Sequence, residues 1–198
     1  MPKNYLVLDF ETTGLDYKTE QVTEVGVIKY DEDFNEIGMF HTYVRLQNDR
    51  VLSDFIKKHT GITEDKLAYG MNEEIAMAVI EAMIEYDTVV VAQFAPFDFG
   101  YLSNYGILPS NYICTKTLTD IAEPYERSNL GETCERNGIV LKDAHTAMGD
   151  VRATKELLQL RLSQGLEVYH NHVTEQPDRP LRFMPHNTFA VLDKEDFK

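Results

Sequence analysis

Two carboxylates two residues apart, Asp9 and Glu11, close a short apolar run that begins at Tyr5. If that run is a strand, positions two apart share a face, so both acids project together just before the turn Thr12-Thr13-Gly14. An acid pair at the end of an otherwise apolar strand is costly to bury without a counter-charge, and a divalent cation supplies one. A third acid, Asp98, follows a second apolar run, Thr88 to Ala92. His145 and Asp150 lie in the segment HTAMGD, at the start of the most strongly helical stretch of the chain. Taken singly, each has an ordinary explanation: an acid pair facing water, a helix-start acid that suits the helix dipole, a solvated loop histidine. As a set they fit different chemistry. Carboxylates from three separate segments match a two-metal phosphodiester-hydrolysing site, with ions ~3.5–4 Å apart. Mg²⁺ and Mn²⁺ take hard oxygen ligands of this kind. A histidine that titrates near neutrality suits the base that takes a proton from water.

The elements that must hold these groups can be read from periodicity. Tyr5 to Phe10, Val22 to Tyr30 and Gly38 to Leu46 read as strands joined by short links, which predicts an antiparallel meander. The pattern then changes. Ser53 to His59 reads as a short helix with Ser53 as N-cap, and Asn72 caps another in which Ile75, Ala76, Val79, Ile80 and Met83 recur at helical spacing. Thr88 to Ala92 reads as a buried strand. Phe97 to Tyr105 reads as a helix that Pro96 precedes and Gly106 stops. A helix opens at Ser128 or Asn129 and ends near Gly138. Gly149 to Ser163 carries Val151, Thr154, Leu157, Leu158 and Leu162 along one stripe. Strands followed by alternating helices and strands predict an α/β fold, with helices flanking a mixed sheet. Residues 1–170 form the expected domain. Residues 171–198, a polar tail punctuated by Pro177, Pro180 and Pro185, form an appendage for which packing of Phe183, Phe189 and Val191 is the expectation.

A chain of 198 residues, 43% hydrophobic and 26% charged, suits one soluble domain. No apolar run approaches the ~20 residues that span a bilayer, which leaves no membrane partner. The N-terminus lacks a signal-peptide pattern, so the expected location is cytoplasmic. Cys114 and Cys134 lie far apart and form no paired motif, which suggests neither a zinc site nor a disulfide framework and predicts buried thiols. The net charge of −14 argues against a large non-specific nucleic-acid platform, which would normally carry a basic patch. Two divalent ions would offset only a minority of that charge. A protein of this kind grips a few terminal nucleotides, or borrows basic surface from a partner such as a DNA polymerase.

The motifs resemble those of the DEDDh 3′–5′ exonucleases of the ribonuclease H-like fold, the group that includes the proofreading subunit of bacterial DNA polymerase III. The first motif runs from Val7 to Leu15, the second from Phe97 to Leu102, and the third from His145 to Val151 with Ala153 and Thr154 following. Thr60-Gly61-Ile62-Thr63 is similar to the family's substrate-loop segment. The resemblance implies an antiparallel meander followed by parallel strands. It implies that Asp9 bridges two metal ions, that Glu11 and Asp150 complete one site, that Asp98 holds the second ion, and that His145 is the general base. Thr12, Thr13 and Leu15 would line the pocket for the terminal nucleotide, with Phe97 and Ile62 against its base or sugar. The implied reaction releases nucleoside 5′-monophosphates from the 3′ end of a nucleic acid strand, DNA or RNA. One departure stands out: Gln93-Phe94 occupies the place where many relatives have His-Asn.

Three other functions compete with an active exonuclease. They are a polymerase-associated assembly subunit, a catalytically silent nucleic-acid-binding module, and a phosphodiesterase acting on short oligonucleotides. The complete set Asp9, Glu11, Asp98, His145 and Asp150 argues against silence, because a silent module needs neither base nor ligands.

Overall fold

A computed structural model describes residues 4–48, 50–175 and 181–198. Its centre is a five-stranded sheet. Strands β1 (Asn4–Thr12), β2 (Val22–Asp31) and β3 (Glu36–Tyr43) form the antiparallel meander, and β4 (Thr88–Ala92) and β5 (Tyr112–Cys114) add in parallel, giving the order β3-β2-β1-β4-β5. The helices are α1 (Asp54–Thr60), α2 (Glu64–Ala68), α3 (Glu73–Met83), α4 (Ala95–Ser103), α5 (Thr115–Ala122), α6 (Leu130–Arg136) and α7 (Ala147–Ser163). Among the described residues, no helix is long and apolar enough to cross a membrane. Cys114 and Cys134 are both free and buried.

The two-residue period of β1 sorts its side chains onto two faces. Leu6, Leu8 and Phe10 join a core with Ala76, Met77 and Ile80 of α3 and Phe99 and Leu102 of α4. Tyr5 and Val7 join a second core with Val151 and Leu158 of α7 and Leu118 of α5. Asp9 and Glu11 continue that second face, so they emerge where β1 runs out from beneath α7. The strand extends to Thr12 because β2 keeps pairing with it, Glu11 opposite Glu24 and Thr12 opposite Val22 across a register shift.

Several boundaries differ from the sequence reading. Helix α4 starts at Ala95, because Pro96 occupies its first turn, where a missing N–H costs nothing; the proline opens the helix. Helix α7 starts at Ala147, capped by Thr146, whose Oγ1 accepts from the Gly149 amide. Strand β5 and helices α2 and α5 are additions.

Beyond Gly165, a single turn at Leu166–Tyr169 leads to β6 (His172–Glu175), which pairs in parallel with β7 (Ala190–Asp193). Val173 is buried in the main core and Phe183 packs against it. Phe189 and Val191, by contrast, are exposed, at 81% and 43%. Val191 lies on a two-stranded ribbon, which can bury only one of its faces, and Phe189 immediately precedes its second strand. Pro177 and Pro180 lie outside the described residues. Lys194 reaches back to Asp120, fully buried on α5, at 2.8 Å.

Candidate active site

Asp9 and Glu11 from β1 and Asp150 from the first turn of α7 place ligand-capable oxygens within 4.8 Å of one another. The depth of α7 against the sheet decides this. At Gly26 of β2 an added Cβ would lie 2.7 Å from the Ala147 carbonyl carbon, so only glycine lets the helix start approach so closely. Asp98 stands beside the trio, buried in the first turn of α4, with Oδ1 accepting from the Phe10 amide at 3.2 Å. The residues that the sequence reading joined as ligands thus converge on one end of the sheet.

These carboxyls disturb one another. Burial, and then the charges of Asp98, Asp150, Glu11 and Glu24, hold Asp9 well above the ordinary carboxylate range. Burial, with Asp150, Glu24 and Asp98, pushes Glu11 up to about 8. Burial also lifts Asp98 to about 8, against the opposing pull of the Phe10 amide. Asp150 rises to about 6, again chiefly by burial; the nearby His145 amide and the His59 imidazole oppose the rise and Glu24 adds to it. Asp150 Oδ1 is buried without a hydrogen-bond partner. A cluster of mutually repelling carboxylates with an orphaned oxygen is a hard-oxygen donor set, and it fits divalent cations.

His145 lies on the exposed loop before α7 with a left-handed backbone, φ 62°. Its ring centroid is 3.8 Å from that of His59 on α1. The expected nucleotide-pocket residues divide into two kinds. Thr12 and Thr13 shape the turn after β1: Thr12 Oγ1 donates to the Gly14 carbonyl at 2.6 Å, and Thr13 Oγ1 donates to Glu20 at 2.5 Å. Leu15 is 67% exposed, and half-buried Phe97 meets Tyr101 edge-on at 5.4 Å, so both offer apolar surface. Ile62 is only 1% exposed, packed with Leu52 and Leu67; it supports the segment from beneath and presents no face to a nucleotide.

Gln93 and Phe94 have structural work. Gln93 Nε2 donates to the Ser128 carbonyl at 2.9 Å, and its own carbonyl accepts from the Lys116 amide. Lys116 Nζ sits 5.8 Å from the centre of the Phe94 ring. The pair thus ties the turn that carries Asp98 to α5 and to the loop before α6.

Two site neighbours escaped the sequence reading. Glu24 is 2% exposed on β2; its Oε1 lies 2.7 Å from His41 Nε2, and its Oε2 accepts from the Ala147 amide at 3.4 Å. A lone acid inside the apolar run Val22 to Tyr30 was the available signal. His59 is the other, and the spacing of α1 gave no hint of its partner.

Comparison with known proteins shows the family. The sequence profile of the exonuclease family RNase_T matches residues 6–158. The chain is 30% identical over 179 residues to a "DNA polymerase III PolC-type" of Streptococcus pneumoniae, covering 82% of this chain and 11% of that protein. It is 28% identical over 164 residues to "3'-5' exonuclease DinG" of Staphylococcus aureus, covering 79% of this chain and 18% of that protein. It therefore spans less than a fifth of the length of either relative. Its fold matches that of E. coli exonuclease I in complex with a dT13 oligonucleotide, with a TM-score of 0.70 at 21% identity over 84% of this chain and 42% of the other. With a profile that covers β1 through most of α7, this chain belongs to the exonuclease family.

Proposed function

We propose that this protein is a 3′–5′ exonuclease that depends on two Mg²⁺ or Mn²⁺ ions and releases nucleoside 5′-monophosphates from the 3′ end of a strand. The observation that carries the reading is the convergence of Asp9, Glu11 and Asp150 within 4.8 Å, with buried Asp98 alongside. Asp9, central on the strand, would touch both ions; Glu11 and Asp150 would complete one site and Asp98 the other. When bound, the two cations supply positive charge to the attacking water and to the departing oxygen. His145 would accept the proton of that water, from a loop that leaves its ring open to solvent. Leu15 and Phe97 would lie against the terminal base or sugar, a sequence-tolerant contact, with Thr12 and Thr13 fixing the turn around it. In this reading residues 1–170 form the catalytic domain, and 171–198 brace it through Lys194 and Asp120.

Single-stranded DNA is the substrate we favour, since the fold neighbour named above was captured with an oligodeoxynucleotide. A cytoplasmic setting fits two free, buried thiols. Strands labelled separately at the 3′ and 5′ ends, as single-stranded DNA, duplex DNA and RNA, test the reading. Labelled mononucleotide should appear first from the 3′ label; first release from the 5′ label would overturn the polarity. A second reading, association with a DNA polymerase, is favoured by the similarity to a PolC-type polymerase and by a net charge of −14 that leaves strand binding short of basic surface. Co-purification of a polymerase with the tagged chain would support it.

A further inference from the structure

The loop that presents His145 is clamped along its backbone. Thr146 Oγ1 donates to the Asp143 carbonyl at 2.7 Å, and a Cβ at Gly149 would lie 2.3 Å from the same oxygen. Asp143 and His145 both hold left-handed φ values, 53° and 62°, a region that aspartate and histidine enter more readily than most side chains, and the Thr146 amide also donates to the Asp143 carbonyl at 3.2 Å. The backbone is therefore fixed, yet the imidazole is exposed and free to turn about its own χ angles. Among the described residues, its ring contact is with His59, at 3.8 Å between centroids and 37° between planes. His59 also stacks on Phe55, at 5.5 Å and 12°.

Phe55 and His59 are one turn apart on α1 and share a face. That short helix is pinned in turn: Ser53 caps its start, Gly61 ends it at φ 68°, and Ile56 packs on Leu52, Ile62 and Leu67 below. Phe55 is 71% exposed, so its ring contact with His59 lies at the surface. The three rings form a ladder that begins on a pinned helix and ends on the candidate base.

We propose that His59 is a positioning residue: its ring, backed by Phe55, holds the His145 imidazole in the orientation from which it takes the proton. This rests on the reading of His145 as the base. A flat ring in van der Waals contact removes rotamers without occupying either imidazole nitrogen, so the proton-accepting atom stays available.

The test is a double-mutant cycle on the full chain, with kcat, KM and divalent-ion affinity measured for each variant. His59 is exposed, so its truncation should leave the fold intact, which a thermal melt checks. His59→Ala should lower kcat by about 10- to 100-fold at saturating metal, the cost of misplacing a reacting group, with KM unchanged; metal affinity is measured because His59 also bears on Asp150. His59→Phe, which restores a flat ring, should recover most of that loss. In a His145→Ala background, His59→Ala should have no further effect, because nothing is left to position. Unchanged kcat in His59→Ala overturns the proposal, as does an equal fold-loss in both backgrounds; the base reading survives either result if His145→Ala is slow. If His145→Ala keeps full activity, the base reading and the positioning role fall together.

Discussion

Glu24 lies opposite Glu11 across the β1–β2 pair, and its carboxylate also accepts from Ala147, the first residue of α7. It therefore touches both elements that supply the acidic trio. The same position sets two effects against each other. Its charge adds to the repulsion that raises Asp9, Glu11 and Asp150, while its hydrogen bonds help hold α7 at the right depth. Glu24→Gln keeps the shape and removes the charge. Metal-free protein at neutral pH should then melt higher than wild type, whereas divalent-ion affinity should fall by about 10-fold or more, the usual cost of altering a partner behind the ligands. Calorimetric titration with Mn²⁺ and a melt without metal read the two signs; a metal-free melt that falls, or an unchanged ion affinity, would contradict the role of the Glu24 charge.

The stability of the metal-free chain should have an acidic optimum. Glu11 and Asp98, held at about 8, and Asp150, at about 6, keep protons in the folded state after the unfolded chain has lost them. The folded state therefore binds more protons between about pH 4 and about pH 8, and stability falls as pH rises through that window. Glu123 acts the other way. Burial pushes its carboxyl up, but hydrogen bonds from Arg161, Asn137 and Arg136 outweigh this and hold it at about 2. Its contribution is present above the ordinary carboxylate range and is lost as pH falls toward 2. Thermal midpoints should peak at mildly acidic pH and decline toward pH 8, and saturating Mg²⁺ should flatten that decline. A metal-free midpoint that climbs steadily to pH 8 would contradict the electrostatic account of the site.

Glu123 also anchors the helices on which the site rests. Its oxygens accept from Arg161 Nη2 at 2.5 Å and from Arg136 Nη2 at 2.7 Å, joining α7 and α6 to the end of α5. Arg161 has no exposed surface. Glu123→Ala would leave that guanidinium buried without its counter-charge, and the expected loss is about 3–5 kcal/mol. Urea unfolding of the metal-free protein measures it; a loss below about 1 kcal/mol, the range of exposed pairs, would mean that water reaches Arg161.

The parts of the fold that were legible in the sequence are those that local periodicity controls. The meander, β4, the caps Ser53, Asn72 and Asn129, and the stripe of α7 appear where their patterns put them. Asp9 and Glu11 could be paired in advance because a strand puts alternate residues on one face. Tyr112–Cys114 is too short to show a period, and α5 reads Thr-Lys-Thr-Leu-Thr, a run that favours no single element. The parallel pairing of β6 with β7 joins segments separated by a long connection, which no local signal announces. Glu24 and His59 went unread for the same reason: each matters through a partner supplied by another element.

The most direct test of the central claim is the rate of 3′-terminal nucleotide release from a labelled oligodeoxynucleotide by EDTA-stripped protein, followed as Mg²⁺ or Mn²⁺ is added back. Asp9, Glu11 and Asp150 meet within 4.8 Å, and the charges of the other three site carboxyls all bear on Asp9. The stripped protein should be inactive, metal should restore the rate, and Asp9→Ala should stay inactive at saturating metal. Undiminished release in excess EDTA, or near wild-type turnover by Asp9→Ala, would contradict the account.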